Sequence, residues 1–167
     1  MGPEDLQRSS LSSRGGLRQE RKINGPDSSD TFLFDTSALL TLWNDEEGAD
    51  LVEDILRSGA RVCVSFMSFM EGRYRIWKSI DKAESDEFAR YLGLLSLEKI
   101  EVTEVIFEKA IEIKATKKLS VCDSWIAATA FAENAVLLHK DPEFEQVKTI
   151  VRLRSLPYKS FNPPGLR

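Results

Sequence analysis

A chain of 167 residues with 42% hydrophobic and 30% charged content is one globular domain's worth, long enough to bury roughly two-thirds of its unfolded surface. The formal net charge of −4 is uneven: residues 31–147 carry 13 basic against 22 acidic side chains, a net −9, whereas residues 148–167 carry five basic and no acidic ones. That balance argues against a broad nucleic-acid surface but not against a concentrated acidic site neutralised by metal. The sequence shows no apolar run near the ~18 residues of a membrane span, no signal-peptide pattern, and only two cysteines, Cys63 and Cys122, without metal-ligand spacing, so a cytoplasmic protein is expected.

Residues 1–30 are rich in Ser, Gly and Arg without periodic apolar positions, and are expected to form a disordered tail. The folded domain is expected over residues 31–153, with a loose C-terminal tail at 154–167. Thr31 to Phe34 is an apolar run without alternation, as for a central parallel strand covered on both faces. Asp35 follows at its carboxyl end, ahead of the helical run ALLTLW. It reads either as the cap of that helix or as a site residue, because open α/β sheets build sites at strand carboxyl ends.

Asp45 to Arg57 reads as an amphipathic helix with Ala49, Val52, Ile55 and Leu56 inward, ended by Gly59. Arg61 to Ser65 is a second strand, with Cys63 a core residue. Ser65 caps a helix running to about Ile80, on which Met67, Met70, Tyr74 and Trp77 mark an apolar stripe. Glu71 shares a face with Ser68 and Arg75, and a surface ion pair with Arg75 is its plain local reading. Lys82 to Leu97 is another amphipathic helix, with Phe88, Tyr91, Leu92 and Leu95 on one side. Ile100 to Val102 is a brief strand, and Thr103 caps a helix over Glu104 to Lys117 carrying Val105, Phe107, Ala110, Ile111 and Lys114.

The stretch from Leu119 to Asp141 organises the rest. Ser120 caps a helix, and Asp123 falls in its first turn, where the helix dipole favours a carboxylate. Ile126, Ala127, Ala130 and Phe131 repeat at helical spacing, and the alanines allow close packing on a sheet. Asn134 stops the helix, Ala135 to Leu138 reads as a buried strand, and His139 and Lys140 lead to Asp141. Lys148 to Leu153 reads as a last, edge-placed strand. Strands alternating with helices predict an α/β fold: a parallel sheet of about five strands with helices on both faces.

Asp35, Asp123 and Asp141 thus fall at strand ends or first helical turns, and Glu71, one turn into its helix, can reach the same end of the sheet. Four such carboxylates repel one another unless a cation offsets them. Mg²⁺ or Mn²⁺ suits oxygen ligands of this kind, and the reaction class implied is metal-assisted phosphodiester hydrolysis.

The runs FLFDTSALL, SFMEGRY, LSVCDSWIAATA and LLHKDPEF resemble, in order and spacing, the four acidic motifs of the PIN domain family. No single run is specific, but the ordered set is, and it covers about residues 31–153. The resemblance implies a Rossmann-like parallel sheet and Mg²⁺- or Mn²⁺-dependent ribonuclease activity on an RNA substrate. At this length it suggests a VapC-type toxin of a toxin–antitoxin pair, dimeric and bound by an antitoxin in a helix-lined groove. Carried over by position, the metal-binding acids are Asp35, Glu71, Asp123 and Asp141, and Ser37 matches a hydroxyl that supports the first acid.

Where relatives commonly carry Thr or Ser two residues before the last acid, this chain has His139. It reads as a solvated surface residue, or as one that touches RNA phosphate or orients Asp141. Arg73, Arg75 and Lys78 follow Glu71, and Lys114, Lys117 and Lys118 precede Asp123; both groups read as solvated helix faces or as holders of an RNA backbone. Tyr74 and Trp77 could stack on bases or belong to the core, and the stripe from Met67 to Trp77, with Phe88 and Tyr91, would suit an antitoxin. A response-regulator receiver is disfavoured, because it needs paired acids after the first strand and FLFDTS supplies one. A PIN nuclease of RNA maturation without an antitoxin and a non-catalytic PIN binding module are the remaining alternatives.

Overall fold

The computed structural model describes residues 29–158; all but the last two residues of the tail expected at 1–30, and residues 159–167 of that expected at 154–167, lie outside them. Five strands, β1 (Thr31–Phe34), β2 (Arg61–Ser65), β3 (Glu98–Ile100), β4 (Val136–His139) and β5 (Arg152–Ser155), pair in parallel in the order β3-β2-β1-β4-β5. Six helices fill the crossovers: α1 (Thr36–Trp43), α2 (Ala49–Arg57), α3 (Phe66–Ser79), α4 (Lys82–Leu94), α5 (Glu104–Thr116) and α6 (Val121–Ala132). A short 3-10 helix, Pro142–Val147, joins β4 to β5.

The pleat sorts the strand residues onto two cores. Phe32, Phe34, Val62, Val64 and Leu138 face one side, with Leu39, Val52, Ile55, Ile76, Phe88 and Leu92 of α1–α4. Leu33, Cys63 and Leu137 face the other, with Ile106, Ile113 and Ile126 of α5 and α6. Each large apolar side chain buried this way is worth ~1.5–3 kcal/mol, so a one-residue slip of any central strand is strongly disfavoured. Gly72 lets α3 approach α4, since a Cβ there would sit 2.7 Å from Phe88 Cε1. No helix among the described residues is long and apolar enough to cross a membrane.

The expected α/β layering is found, with several local corrections. The helix expected from Asp45 starts at Ala49, because Asp45 (φ 50°) and Gly48 (φ 98°) hold a left-handed turn before it. Helix α4 ends at Leu94, and β3 lies two residues earlier than expected, at Glu98–Ile100. On α5 the buried positions are Ile106, Ala110 and Ile113, while Val105, Phe107 and Ile111 are exposed. The last strand is Arg152–Ser155 and not Lys148–Leu153. Phe144 and Val147 anchor the 3-10 helix in the core, and the amides of Ile150 and Val151 fold back onto the Val147 carbonyl, so the strand begins later. Phe88 is fully buried and packs edge-on against Trp43, so it belongs to the core and not to a partner surface.

Candidate metal centre

The strand order turns at β1: the chain steps outward from β1 to β2 and β3, then crosses back to lay β4 on the other edge of β1. Such a switch point opens a crevice at the strand carboxyl ends. The Asp35 amide donates to the Leu138 carbonyl at 3.0 Å, which fixes the end of β1 against β4.

Asp35 is the N-cap of α1 and is buried, 4% exposed. Its Oδ2 accepts from the Ser37 amide at 3.0 Å and from the Ser37 hydroxyl at 2.6 Å. Cap and site residue are therefore the same side chain in two uses. Burial pushes the Asp35 carboxyl up to about 6, against the two Ser37 hydrogen bonds, and the nearby charges of Asp123 and Glu71 add to the rise. Mutual repulsion was the expected cause of such a shift; desolvation is the larger one. Ser37 also accepts the Lys140 amide at 2.8 Å, so one hydroxyl ties the first acid to the residue preceding the last.

Glu71 is half-buried. Its Oε2 accepts the Thr36 hydroxyl at 2.6 Å, which turns it toward Asp35, while Arg75 stands 3.7 Å from Oε1. The Ser120 cap of α6 receives the Asp123 amide at 3.0 Å and donates its own hydroxyl to Asp123 Oδ2 at 2.5 Å. Asp141 caps the 3-10 helix, its Oδ1 accepting the Glu143 amide at 2.8 Å. Asp123, Asp141 and Glu143 each offer a carboxylate oxygen within 4.8 Å of the others. One octahedral ion with ligands at ~2.0–2.1 Å spans about 4 Å, so this all-oxygen set fits a hard divalent cation. The Cys122 thiol sits among the same groups: burial first, then the charges of Glu71, Asp123 and Asp35, push it up to about 12, so it remains a protonated thiol.

His139 is fully buried, which corrects its reading as a solvated residue. Its Nδ1 lies 2.7 Å from the Asp141 carbonyl, and its ring meets Phe144 edge-on. Burial lowers its pKa, against the Asp141 hydrogen bond, so the ring is neutral at pH 7 and donates through Nδ1–H. Lys140, the residue after β4, is the counterpart brace. Its ammonium reaches Glu46 Oε2 at 3.0 Å, the Glu47 carbonyl at 3.2 Å and Thr41 Oγ1 at 3.4 Å.

Of the basic residues singled out by sequence, Arg73 is paired with Asp86 at 2.7 Å and Lys114 donates to the Leu119 carbonyl at 2.7 Å. Among the described residues Arg75 pairs only with Glu71; Lys117 is half-buried and Lys118 exposed. Sequence reasoning missed Glu143, Thr36, Cys122 and Lys140. Asp141-Pro142-Glu143 held a signal for the first, since an Asp cap followed by Pro starts a helical turn that folds its second residue back toward the cap.

An open α/β sheet with acids gathered at its switch point is an architecture suited to holding a metal ion for hydrolytic chemistry. The chain belongs to the PIN domain family, whose model matches residues 32–150. Among solved structures, VapBC2 from Rickettsia felis bound to a promoter DNA fragment aligns over 76% of this chain and 99% of its own, at 20% identity and TM-score 0.64. DNA-bound VapBC from Salmonella typhimurium aligns over 75% and 98%, at 23% identity and TM-score 0.61. VapC20 from Mycobacterium tuberculosis, a sarcin-ricin loop cleaving toxin, aligns over 74% and 98%, at 17% identity and TM-score 0.59. By sequence, no curated protein matches the chain.

Proposed function

We propose that this chain is a metal-dependent endoribonuclease, the toxin of a VapBC-type toxin–antitoxin pair. The observation that carries the reading is the set of oxygen ligands on Asp123, Asp141 and Glu143, within 4.8 Å of one another, at the switch point of a PIN domain. Those three carboxylates would hold Mg²⁺ or Mn²⁺, with Asp35 and Glu71 adding charge beside them. Bound there, the ion supplies a Lewis acid that acidifies water and offsets charge building on the phosphodiester. The protein contributes orientation: Ser37 fixes Asp35, Thr36 fixes Glu71, and His139 holds the turn that presents Asp141. Lys117 and Lys118 beside α6 are the residues assigned to the RNA backbone on that side.

An antitoxin segment is assigned to the stripe on α3, where Met70 and Trp77 are about half exposed. A second copy of the chain is assigned to α5 and α6, where Val105, Phe107, Ile111, Val121 and Phe131 are each exposed. The test is purified protein against a mixed set of structured and unstructured RNAs, with and without chelator. Cleavage that vanishes in chelator, returns with Mn²⁺ and is absent in Asp35→Asn is expected. Cleavage that persists in chelator would overturn the reading.

A further inference from the structure

We infer that the trough leading away from Asp141 along α1 and α3 is a single-stranded RNA subsite, in which Tyr158 stacks on the nucleobase next to the scissile phosphate and Arg75 holds the adjoining phosphate. The inference rests on the ribonuclease reading and names residues that the acid motifs do not. A cavity of about 670 Å³ opens at the acid site, with Ser37 and Asp141 in its wall and Asn44, Arg75 and Tyr158 around it. That volume is within the ~300–1,000 Å³ of sites that take a small organic group. A second cavity of about 590 Å³ continues from it, sharing Leu40, Asn44 and Arg75 and reaching Tyr74 and Lys78.

The side chains are placed for such a ligand. Tyr158 is 42% exposed, yet the backbone before it is fastened. Leu156 is buried and its amide donates to the His139 carbonyl at 2.7 Å. Pro157 packs on Gly48 so closely that a Cβ there would lie 2.9 Å from its Cδ. The Tyr158 ring is therefore carried on an anchored segment at the cavity mouth. Arg75 has half its side chain in solvent, and its one carboxylate partner among the described residues, Glu71, lies 3.7 Å away, beyond hydrogen-bond length. Lys140 lines the same cavity, but its ammonium is held by Glu46, Glu47 and Thr41, which among the described residues of the cavity wall leaves Arg75 as the cation for a phosphate. Farther along, Tyr74 and Lys78 repeat the pairing of ring and cation. Alternating rings and cations along a groove match a flexible strand with stacked bases and regularly spaced phosphates. The near end of the groove is the wall of the acid site itself, where the scissile bond must lie.

The test is fluorescence anisotropy of a labelled single-stranded RNA with Mn²⁺ present, in an Asp35→Asn background so that binding is read without cleavage. Tyr158→Ala and Tyr158→Leu are expected to weaken binding about tenfold or more, and Tyr158→Phe to leave it within twofold, because the ring stacks and the hydroxyl does not. Arg75→Ala is expected to lower the slope of log affinity against log salt by about one. Melting temperatures matching the parent's exclude a folding defect. Binding within twofold of the parent for Tyr158→Ala would overturn the inference and leave the trough to a protein segment. RNA binding that depends on Tyr158, with no cleavage of the same RNA by the protein that retains Asp35 in Mn²⁺, would keep the trough as an RNA subsite and sink the nuclease reading. A parent that binds no RNA would overturn both.

Discussion

Asp35 is 4% exposed, hydrogen-bonded twice by Ser37 and pushed up to about 6 by burial, whereas Asp123 and Asp141 are half-buried and Glu143 is exposed. The first half of the site is dry and rigid, and the second is wet and open. A buried carboxylate is costly to ionise and returns that cost when a cation arrives. Carboxylates in contact with water can exchange it for ligands of an incoming ion. A site divided this way keeps charge in reserve on one side and admits ion and substrate from the other.

The largest effect that separates the halves should come from Asp35→Asn. Turnover is expected to fall by about 10²-fold or more. The metal-free protein should nevertheless become more stable at pH 7.5, by up to ~3 kcal/mol less the hydrogen bonds weakened at Ser37, because the cost of an ionised buried acid disappears. Chemical denaturation without metal reads the sign, and a variant less stable than the parent would mean that Asp35 is not a strained anion. Within the wet half, Asp141→Asn is expected to weaken Mn²⁺ binding about 100-fold and Glu143→Gln about tenfold, read by calorimetry or by the metal-induced rise in melting temperature. Equal losses would erase the distinction between a fixed ligand and an exposed one.

The pH dependence sharpens the same contrast. The Asp35 pKa is raised in the fold, so the native state binds more protons than the unfolded chain between about pH 4 and pH 6. Metal-free stability should therefore fall as pH rises through that window, and the rise in melting temperature caused by Mn²⁺ should grow over the same range. Asp35→Asn should flatten this component of both profiles. The smallest effect is expected from Lys118→Ala, which is exposed and outside the acid group. It should weaken RNA binding a fewfold, lower its salt slope by about one, and leave Mn²⁺ affinity unchanged.

Much of this was legible in the chain because local and global signals agree. TFLF and RVCVS became central strands, and Asp35, Ser65, Thr103 and Ser120 all cap the helices they precede. The failures sit where tertiary packing decides. Nothing local says which side of β4 is covered by α6, so the burial of His139 required knowing that it shares a face with Leu137 and meets Phe144. The exposed run on α5 is as apolar as its buried one, so hydrophobicity alone could not choose between Phe107 and Ile106. Glu143 belongs to the acid group only because the turn after Asp141 is a 3-10 helix, a geometry set by Phe144 and Val147 entering the core.

The hydroxyl of Ser37 binds Asp35 on one side and the Lys140 amide on the other, a contact that bridges 103 positions. Read as a sequence of events during synthesis, this makes the site a late product. Strands β1 and β2 are complete by residue 65, but β4, which lies against the free edge of β1, ends at His139. A chain halted at residue 118 carries Asp35 and Glu71 but neither Asp123 nor Asp141. Long-range pairing of this kind is slow to close. The acid site is thus complete only when nearly the whole domain has been made.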